Sequence, residues 1–262
     1  MRTRFFTVIA AVIASLAGAA AGSAENYDRA DALQTSQAAI GNVVGDHVLR
    51  DVGGQAFALA ALRGRPIVVS MIYTSCHHVC PTITQSLARA VEIGREALGD
   101  DAFSVVTVGF DWAVDSPEAM RLYARERGID VPGWHFLSGD AASIGALSED
   151  LGFLYYPSAK GFDHLTQTSI IAADGSLYRQ VYGVELDARS IVEPLKQLVF
   201  DTPVEAGLIE HWLDTLRLFC TVYDANSGRY KFDYSIFMTI IVGVLCLGAI
   251  AVFIAREWRN AR

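Results

Sequence analysis

Tyr73-Thr74-Ser75-Cys76-His77-His78-Val79-Cys80-Pro81 is the stretch on which the reading of the chain turns. The residues before it, Ile67-Val68-Val69-Ser70-Met71-Ile72, are an apolar run of the length of a buried strand. Those after it place apolar side chains at Ile83, Leu87, Val91 and Ile93, a helical pattern, and Pro81 suits a first turn. Two cysteines therefore sit where a strand turns into a helix. The positive end of the helix dipole favours thiolate over thiol there, and thiolate is the form that attacks disulfides or binds metal. A structural disulfide, or two inert buried thiols, is the plainer alternative.

Working outward, residues 25 to about 40 read as a polar, partly helical lead-in. Gly41 to Asp51, with Gly53-Gly54 and Phe57-Ala58-Leu59, suggests a short hairpin, and Arg63-Gly64-Arg65-Pro66 a turn feeding the first core strand. Phe103 to Phe110 is rich in β-branched residues and predicts a strand. Ser116-Pro117-Glu118 opens a helix to about Arg127, with serine as cap and proline at the first position. Trp134 to Ser138 predicts a short strand, and Asp140 caps a helix to about Leu151. Thr168 to Ala173 and Leu177 to Val184 form strands joined by Asp174-Gly175, a hairpin signal, and Asp187 to about Val199 closes the domain as a helix. Strands alternating with helices imply an α/β domain over residues 41–200, with a parallel portion and antiparallel strands added by the hairpin. A dithiol at the end of the first core strand resembles the thioredoxin fold.

The chain has 262 residues, a net charge of −8 and 52% hydrophobic residues. The negative charge argues against nucleic acid as a partner. Four cysteines are too few for a disulfide scaffold. The two ends account for the apolar excess. Arg2 and Arg4, the apolar run Phe5 to Ala17 and the small residues Gly22-Ser23-Ala24 read as a signal peptide over 1–24, cleaved after Ala24 or else Ala21, with an uncleaved anchor still open. Tyr234 to Ala255 is uncharged and apolar; at about 1.5 Å per residue it is long enough for a transmembrane helix. Arg256, Arg259 and Arg262 follow it, so residues 256–262 are expected to be a cytoplasmic tail. Residues 201–233 are a juxtamembrane segment, with an amphipathic helix expected over 203–219 and a polar turn from Asp224 to Arg229. The domain then faces an oxidising compartment from a single-pass anchor in the inner membrane, with the soluble part in the periplasm.

The cysteine spacing is Cys-x-x-x-Cys, not the Cys-x-x-Cys of a thioredoxin-like redox motif. Two thiolates with an imidazole suit Cu(I) or zinc. Within the domain, the histidines outside the motif are His47, His135 and His164. His164 stands at the end of Tyr155–His164, read as a long loop before a strand, where binding residues gather, although a loop histidine is also commonly a plain surface residue. His135 falls inside a short strand as half-buried structure, and His47 precedes the core as a surface residue.

Tyr73-Thr74-Ser75-Cys76-x-x-x-Cys80-Pro81, then Val108-Gly109-Phe110-Asp111-x-x-x-Asp115-Ser116-Pro117-Glu118, then Asp163-His164 ahead of a strand with Asp174-Gly175, resembles the Sco/SenC family over about residues 40–200. The resemblance implies a thioredoxin-like, membrane-tethered copper protein that helps to assemble the copper sites of respiratory cytochrome oxidases. It implies copper ligands at Cys76, Cys80 and His164, with Asp111 and Asp115 near the site, although Asp115 also stands where it would cap the next helix. The chain departs from the family twice. His77-His78 follow the first cysteine where proline is common; they are extra ligands, partner contacts or, more simply, exposed loop residues. Its anchor lies at the C-terminus instead of the N-terminus.

Two functions follow. One is a copper chaperone, a metallochaperone and not an enzyme, whose partners are an oxidase subunit with a copper site and other copper chaperones. The other is a thiol–disulfide oxidoreductase keeping a partner's cysteines reduced, with Cys76 attacking and Cys80 resolving through a redox disulfide. Cys246 falls in the apolar stretch as a small apolar residue. Cys220, near its outer end, is open to lipid attachment, a partner disulfide or simple burial.

Overall fold

A computed structural model of the chain describes residues 27–201, 221–224, 229–232, 238, 241–248, 256, 258 and 259. The lead-in is helical, as expected. Helix α1 (Arg29–Ala38) is opened by the Asp28 carboxylate, which accepts from the amides of Ala30 and Asp31. Strands β1 (Val48–Arg50) and β2 (Ala56–Ala58) form the expected hairpin, and a 3-10 turn (Leu59–Leu62) leads into β3 (Ile67–Ile72). All six residues of β3 are buried, which is why its sequence is apolar without alternation. Helix α2 (Val79–Leu98) follows, then β4 (Ser104–Gly109), α3 (Pro117–Glu126), β5 (Trp134–Leu137) and α4 (Ala141–Asp150). The caps are those the sequence predicts: Ser116 Oγ accepts from the Ala119 amide and an Asp140 carboxylate oxygen from the Ser143 amide.

The stretch read as a long loop is instead a β-hairpin, β6 (Tyr155–Ser158) paired with β7 (Gly161–His164). Pro157 and the turn-forming residues after it mask the strands in the sequence. A proline is tolerated because β6 belongs to a two-stranded sheet and has a free edge. Gly161 makes the turn at φ +112°, a conformation open to glycine.

Strands β8 (Gln167–Ile171) and β9 (Leu177–Tyr182) and helix α5 (Ala188–Asp201) complete the domain. The central sheet has the order β5-β4-β3-β8-β9. Strand β3 runs parallel to β4, and β4 to β5, while β8 lies antiparallel to β3 and β9 to β8. This is the expected α/β, thioredoxin-like architecture. Helices α2 and α5 pack together, and α3 packs on β5. The core gathers Val68, Ile72, Leu87, Val105, Phe110, Leu137, Ile170 and Ile191, each at most 1% exposed. Each contributes about 1.5–3 kcal/mol by leaving water.

Beyond the domain, β10 (Thr221–Asp224) and β11 (Arg229–Phe232) pair antiparallel. The signal peptide, the helix expected over 203–219, Cys220 and most of 234–255 lie outside the described residues. Residues 241–248 are helical, with Cys246 exposed among them. Among the described residues no helix is long and apolar enough to cross a membrane.

Candidate metal centre

Cys76 and Cys80 flank the start of α2, directly beyond the C-terminal end of β3, and both are buried as free thiols. The residue preceding the helix, His78, offers no side-chain cap. The first helical amides are therefore short of an acceptor, and Cys76 Sγ fills that role by accepting from the Cys80 amide at 3.3 Å. The side-chain hydrogen bond from Cys80, then the amides of Cys80 and His78 and the Tyr73 hydroxyl, outweigh burial and bring the Cys76 thiol down to about 4. The same shared proton, with burial, holds the Cys80 thiol far above its ordinary value. One sulfur is thus a thiolate at neutral pH, and its neighbour keeps the proton.

The loop carrying Cys76 is tied down from the neighbouring strand. Asp115, 1% exposed, accepts from the Thr74 amide at 2.9 Å and the Thr74 hydroxyl at 2.6 Å through Oδ1, and from the Asp111 amide at 2.9 Å through Oδ2. Asp115 is therefore not the helix cap, a role that Ser116 holds. It joins the loop after β3 to the loop after β4. Gly109 makes room for it: a Cβ there would lie 2.5 Å from Asp115 Cβ and 2.8 Å from Met120 Sδ. Burial raises the Asp115 carboxyl above its usual range, against the pull of the three donors.

His164 ends β7, opposite Tyr155 in the register. Phe162 and His164 are two apart on a strand and so share a face. That face packs on Phe110, with ring centroids 5.3 Å away in both cases. Phe153 and Tyr73 also border the imidazole, at 5.5 and 6.0 Å. The imidazole is oriented as well as packed. Its Nδ1 lies 2.8 Å from the Leu165 carbonyl, an acceptor, so Nδ1 carries the proton and the Nε2 lone pair is free. Burial lowers the His164 pKa, chiefly through desolvation, which keeps the ring neutral and able to donate to a metal. Tyr73 borders both imidazole and Cys76, its ring against the imidazole and its hydroxyl among the groups that lower the Cys76 thiol. The donors are not drawn into a closed set: among the described residues, no group of three or more His, Cys, Asp or Glu side chains is gathered closely enough to hold an ion.

The remaining candidates separate. His77 and His78 are exposed. Asp111 is half-buried, and its amide, not its carboxylate, makes the bond to Asp115. His135 is half-buried on β5 and rests against Phe57 at 4.7 Å, the structural role expected of it. His47 corrects the expectation of a plain surface residue. Its side chain is 13% exposed, and Nε2 lies 2.6 Å from Asp150 Oδ2, an oxygen that also accepts from the Gly45 amide. It fastens the N-terminal segment to the end of α4. Sequence reasoning assigned no role to Tyr73 or Phe110. The Tyr73 hydroxyl helps to lower the Cys76 thiol, and its ring meets Phe110 and Phe162 at 5.3 Å, joining the cysteine loop to the hairpin. The alternation Phe162-x-His164 is the signal that would have found the hairpin face.

The sequence pattern of the SCO1/SenC family matches residues 35–199. This chain belongs to the SCO1/SenC family. Among its relatives in that family, an SCO2-like protein of Rickettsia typhi is 26% identical over 155 residues, covering 56% of this chain and 73% of that protein. A crystal structure described as a putative electron transfer protein of Aquifex aeolicus is 31% identical, with a TM-score of 0.56, covering 61% of this chain and 94% of that one. The copper-bound structure of ScoI from Bradyrhizobium japonicum shares the fold at 22% identity and a TM-score of 0.50, covering 60% and 99%. The SCO1/SenC match takes in the cysteine motif, the Asp111–Asp115 loop and His164 alike.

Proposed function

We propose that this protein is a copper chaperone that carries Cu(I) on Cys76, Cys80 and His164 to the copper centre of a respiratory cytochrome oxidase. The observation that carries the reading is the tautomer of His164: Nδ1 is engaged by the Leu165 carbonyl, which leaves Nε2 as the donor. A ring nitrogen anchored on a carbonyl is the usual arrangement of a metal-binding histidine. Two sulfurs and a neutral imidazole are soft and borderline donors, matched to Cu(I). The copper-bound ScoI of B. japonicum and the family membership support copper as the cargo. The three arginines after the apolar C-terminal stretch support an inner-membrane tether with the domain in the periplasm, where an oxidase subunit and other copper chaperones are accessible.

The unequal cysteines favour a second activity on the same pair. The Cys76 thiolate attacks one sulfur of a partner's disulfide, forming a mixed disulfide and expelling the partner's other thiolate. Cys80 then gives up its proton and displaces the second partner sulfur, leaving the Cys76–Cys80 disulfide. The partner gains two electrons, one proton from Cys80 and a second from water; the pair, with Cys76 already a thiolate, loses two electrons and one proton.

The deciding experiment is Cu(I) titration of reduced protein against a competing chelator. His164→Ala is expected to weaken Cu(I) binding at least tenfold while leaving the Cys76–Cys80 disulfide able to form. Cys76→Ser or Cys80→Ser is expected to remove both properties. Oxidase activity at low copper is then lost alike in His164→Ala and Cys76→Ser cells. Full oxidase activity in His164→Ala with loss in Cys76→Ser would transfer the function to thiol exchange alone.

A further inference from the structure

The hairpin that carries His164 has two faces. Tyr155, Phe162 and His164 turn one way, onto Phe110. Tyr156 and Asp163, opposite each other in the register, alternate with them and so turn the other way. On that outer side Tyr156 is half-buried, and the ring beside it belongs to Tyr27, with centroids 6.2 Å apart and planes at 57°. Tyr27 is half-buried too, and burial is the chief cause that raises its phenol above the ordinary value.

The helix behind Tyr27 holds it in place. Asp28 caps α1 through the amides of Ala30 and Asp31, which fixes the course of the chain at the residue before. Helix α1 is itself docked on the domain. Ala32 and Ser36, one turn apart, are 1% and 0% exposed, and Ser36 Oγ lies 2.9 Å from the Tyr182 hydroxyl on β9. The end of α1 closes on Gly152, between α4 and β6. A Cβ at Gly152 would stand 2.7 Å from the Thr35 carbonyl oxygen and 2.8 Å from Ala39 Cβ. The lead-in is thus fastened to the sheet and to the approach of β6, and its aromatic end rests on the hairpin.

The contacts on the two faces differ in kind. Phe110 and Tyr73 belong to the core, so losing either ring damages the fold. Tyr27 lies outside the core, on a segment of its own, yet it bears on Tyr156, whose register partner Asp163 adjoins His164. A two-stranded sheet is marginally stable by itself, so a ring on its second face changes how often it opens. An aromatic pair at this spacing shifts such an equilibrium by about two- to tenfold.

We infer that Tyr27 is a positioning residue for His164: the lead-in straps the β6–β7 hairpin down through Tyr156 and so sets how fast Cu(I) leaves the site. The rate of release rests on the copper reading above; the strapping of the hairpin does not.

Two measurements on the full chain, in detergent, test it. One is hydrogen exchange, without metal, of the amides of residues 161–164 and of β3. The other is the rate at which Cu(I) passes from the loaded protein to excess bicinchoninate. Tyr27→Ala is expected to speed hairpin exchange and Cu(I) release about two- to tenfold and to leave β3 exchange unchanged. Tyr27→Phe, which keeps the ring, should keep the parental values. Tyr156→Ala should also speed both, and the double variant should be no faster than Tyr156→Ala alone, because the same contact is already lost. Parental hairpin exchange in Tyr27→Ala, exchange that quickens as much in β3 as in the hairpin, or faster exchange without faster release would overturn the assignment. Absence of Cu(I) binding by the parent would overturn the copper reading instead, and the exchange comparison would then decide the strap by itself.

Discussion

Asp115 holds Thr74 twice over, accepting its amide at 2.9 Å and its hydroxyl at 2.6 Å through the same carboxylate oxygen. These bonds cross from the second core strand's loop to the loop that carries Cys76, so the sulfur's position depends on a residue well outside the cysteine motif. Asp115→Ala would leave the Thr74 and Asp111 amides without their acceptor. A loss of about 2–4 kcal/mol is expected, since each hydrogen bond to a charged group is worth about 1.5–3 kcal/mol. Urea unfolding of the reduced protein measures it, and an unchanged midpoint would show that the loop holds its shape unaided.

Gly109→Ala should be damaging for a related reason. The new methyl would stand 2.5 Å from Asp115 Cβ and 2.8 Å from the Met120 sulfur, both buried. Forcing a methyl into a filled core costs about 1–3 kcal/mol. A thermal melt is expected to show the loss, and Cys76 alkylation should change with it because Asp115 must move.

The cysteine pair fixes a pH response. With its thiol at about 4, Cys76 should react with iodoacetamide at a nearly constant rate from pH 8 down to about 5, slowing only as the pH falls through about 4. Cys80, raised, should stay unmodified throughout. Linkage gives the sign for stability. Cys76 has its pKa depressed on folding from 9.0, so the unfolded chain binds more protons between pH 4 and 9. Its contribution is therefore fully present above the unfolded value and is lost as the pH falls through the folded one. Cys76→Ser should flatten stability against pH over that window, and a slope identical to the parent's would contradict the assignment.

Gly161→Ala tests the hairpin. Its φ of +112° disfavours any side chain, and a Cβ would lie 2.9 Å from the Tyr73 hydroxyl. Cu(I) affinity is expected to fall by roughly 10- to 100-fold, the range seen when groups that orient a metal ligand are disturbed. Cys76 should keep most of its reactivity, which depends chiefly on Cys80. Parallel loss of both would mean that hairpin and dithiol form one inseparable unit.

Membrane topology is checked by a reporter fused after Arg262. A reporter active only in the cytoplasm is the expected result; activity in the periplasm reverses the orientation read from Arg256, Arg259 and Arg262.

The central sheet was legible because each of its elements carries a local signal. The unbroken apolar run of β3 reports burial on both faces, Ser116 and Asp140 announce helix starts, and Asp174-Gly175 announces a turn. The hairpin at 155–164 was not, because Pro157 and the residues after it resemble a loop. Its strands are identified by the aromatic face of Tyr155, Phe162 and His164 meeting Phe110, a contact formed only in the folded chain. The roles of Asp115 and His47 were hidden for the same reason. Thr74 lies 41 residues from Asp115, and His47 lies 103 from Asp150, separations over which no local pattern operates.

The two kinds of donor are mounted on parts of very different stiffness. The sulfurs follow a strand with neighbours on both sides, buried along its whole length. The imidazole rides on a two-stranded hairpin of four residues a side, outside that sheet. Two strands alone are marginally stable, so the hairpin is held chiefly by Tyr155, Phe162 and His164 packed on Phe110, with Tyr73 against Phe162 and His164. Breaking that packing would withdraw the nitrogen and leave both sulfurs in place. A bound ion would then have a coordination position uncovered on one side, and the incoming ligand of a recipient would approach from the hairpin's direction.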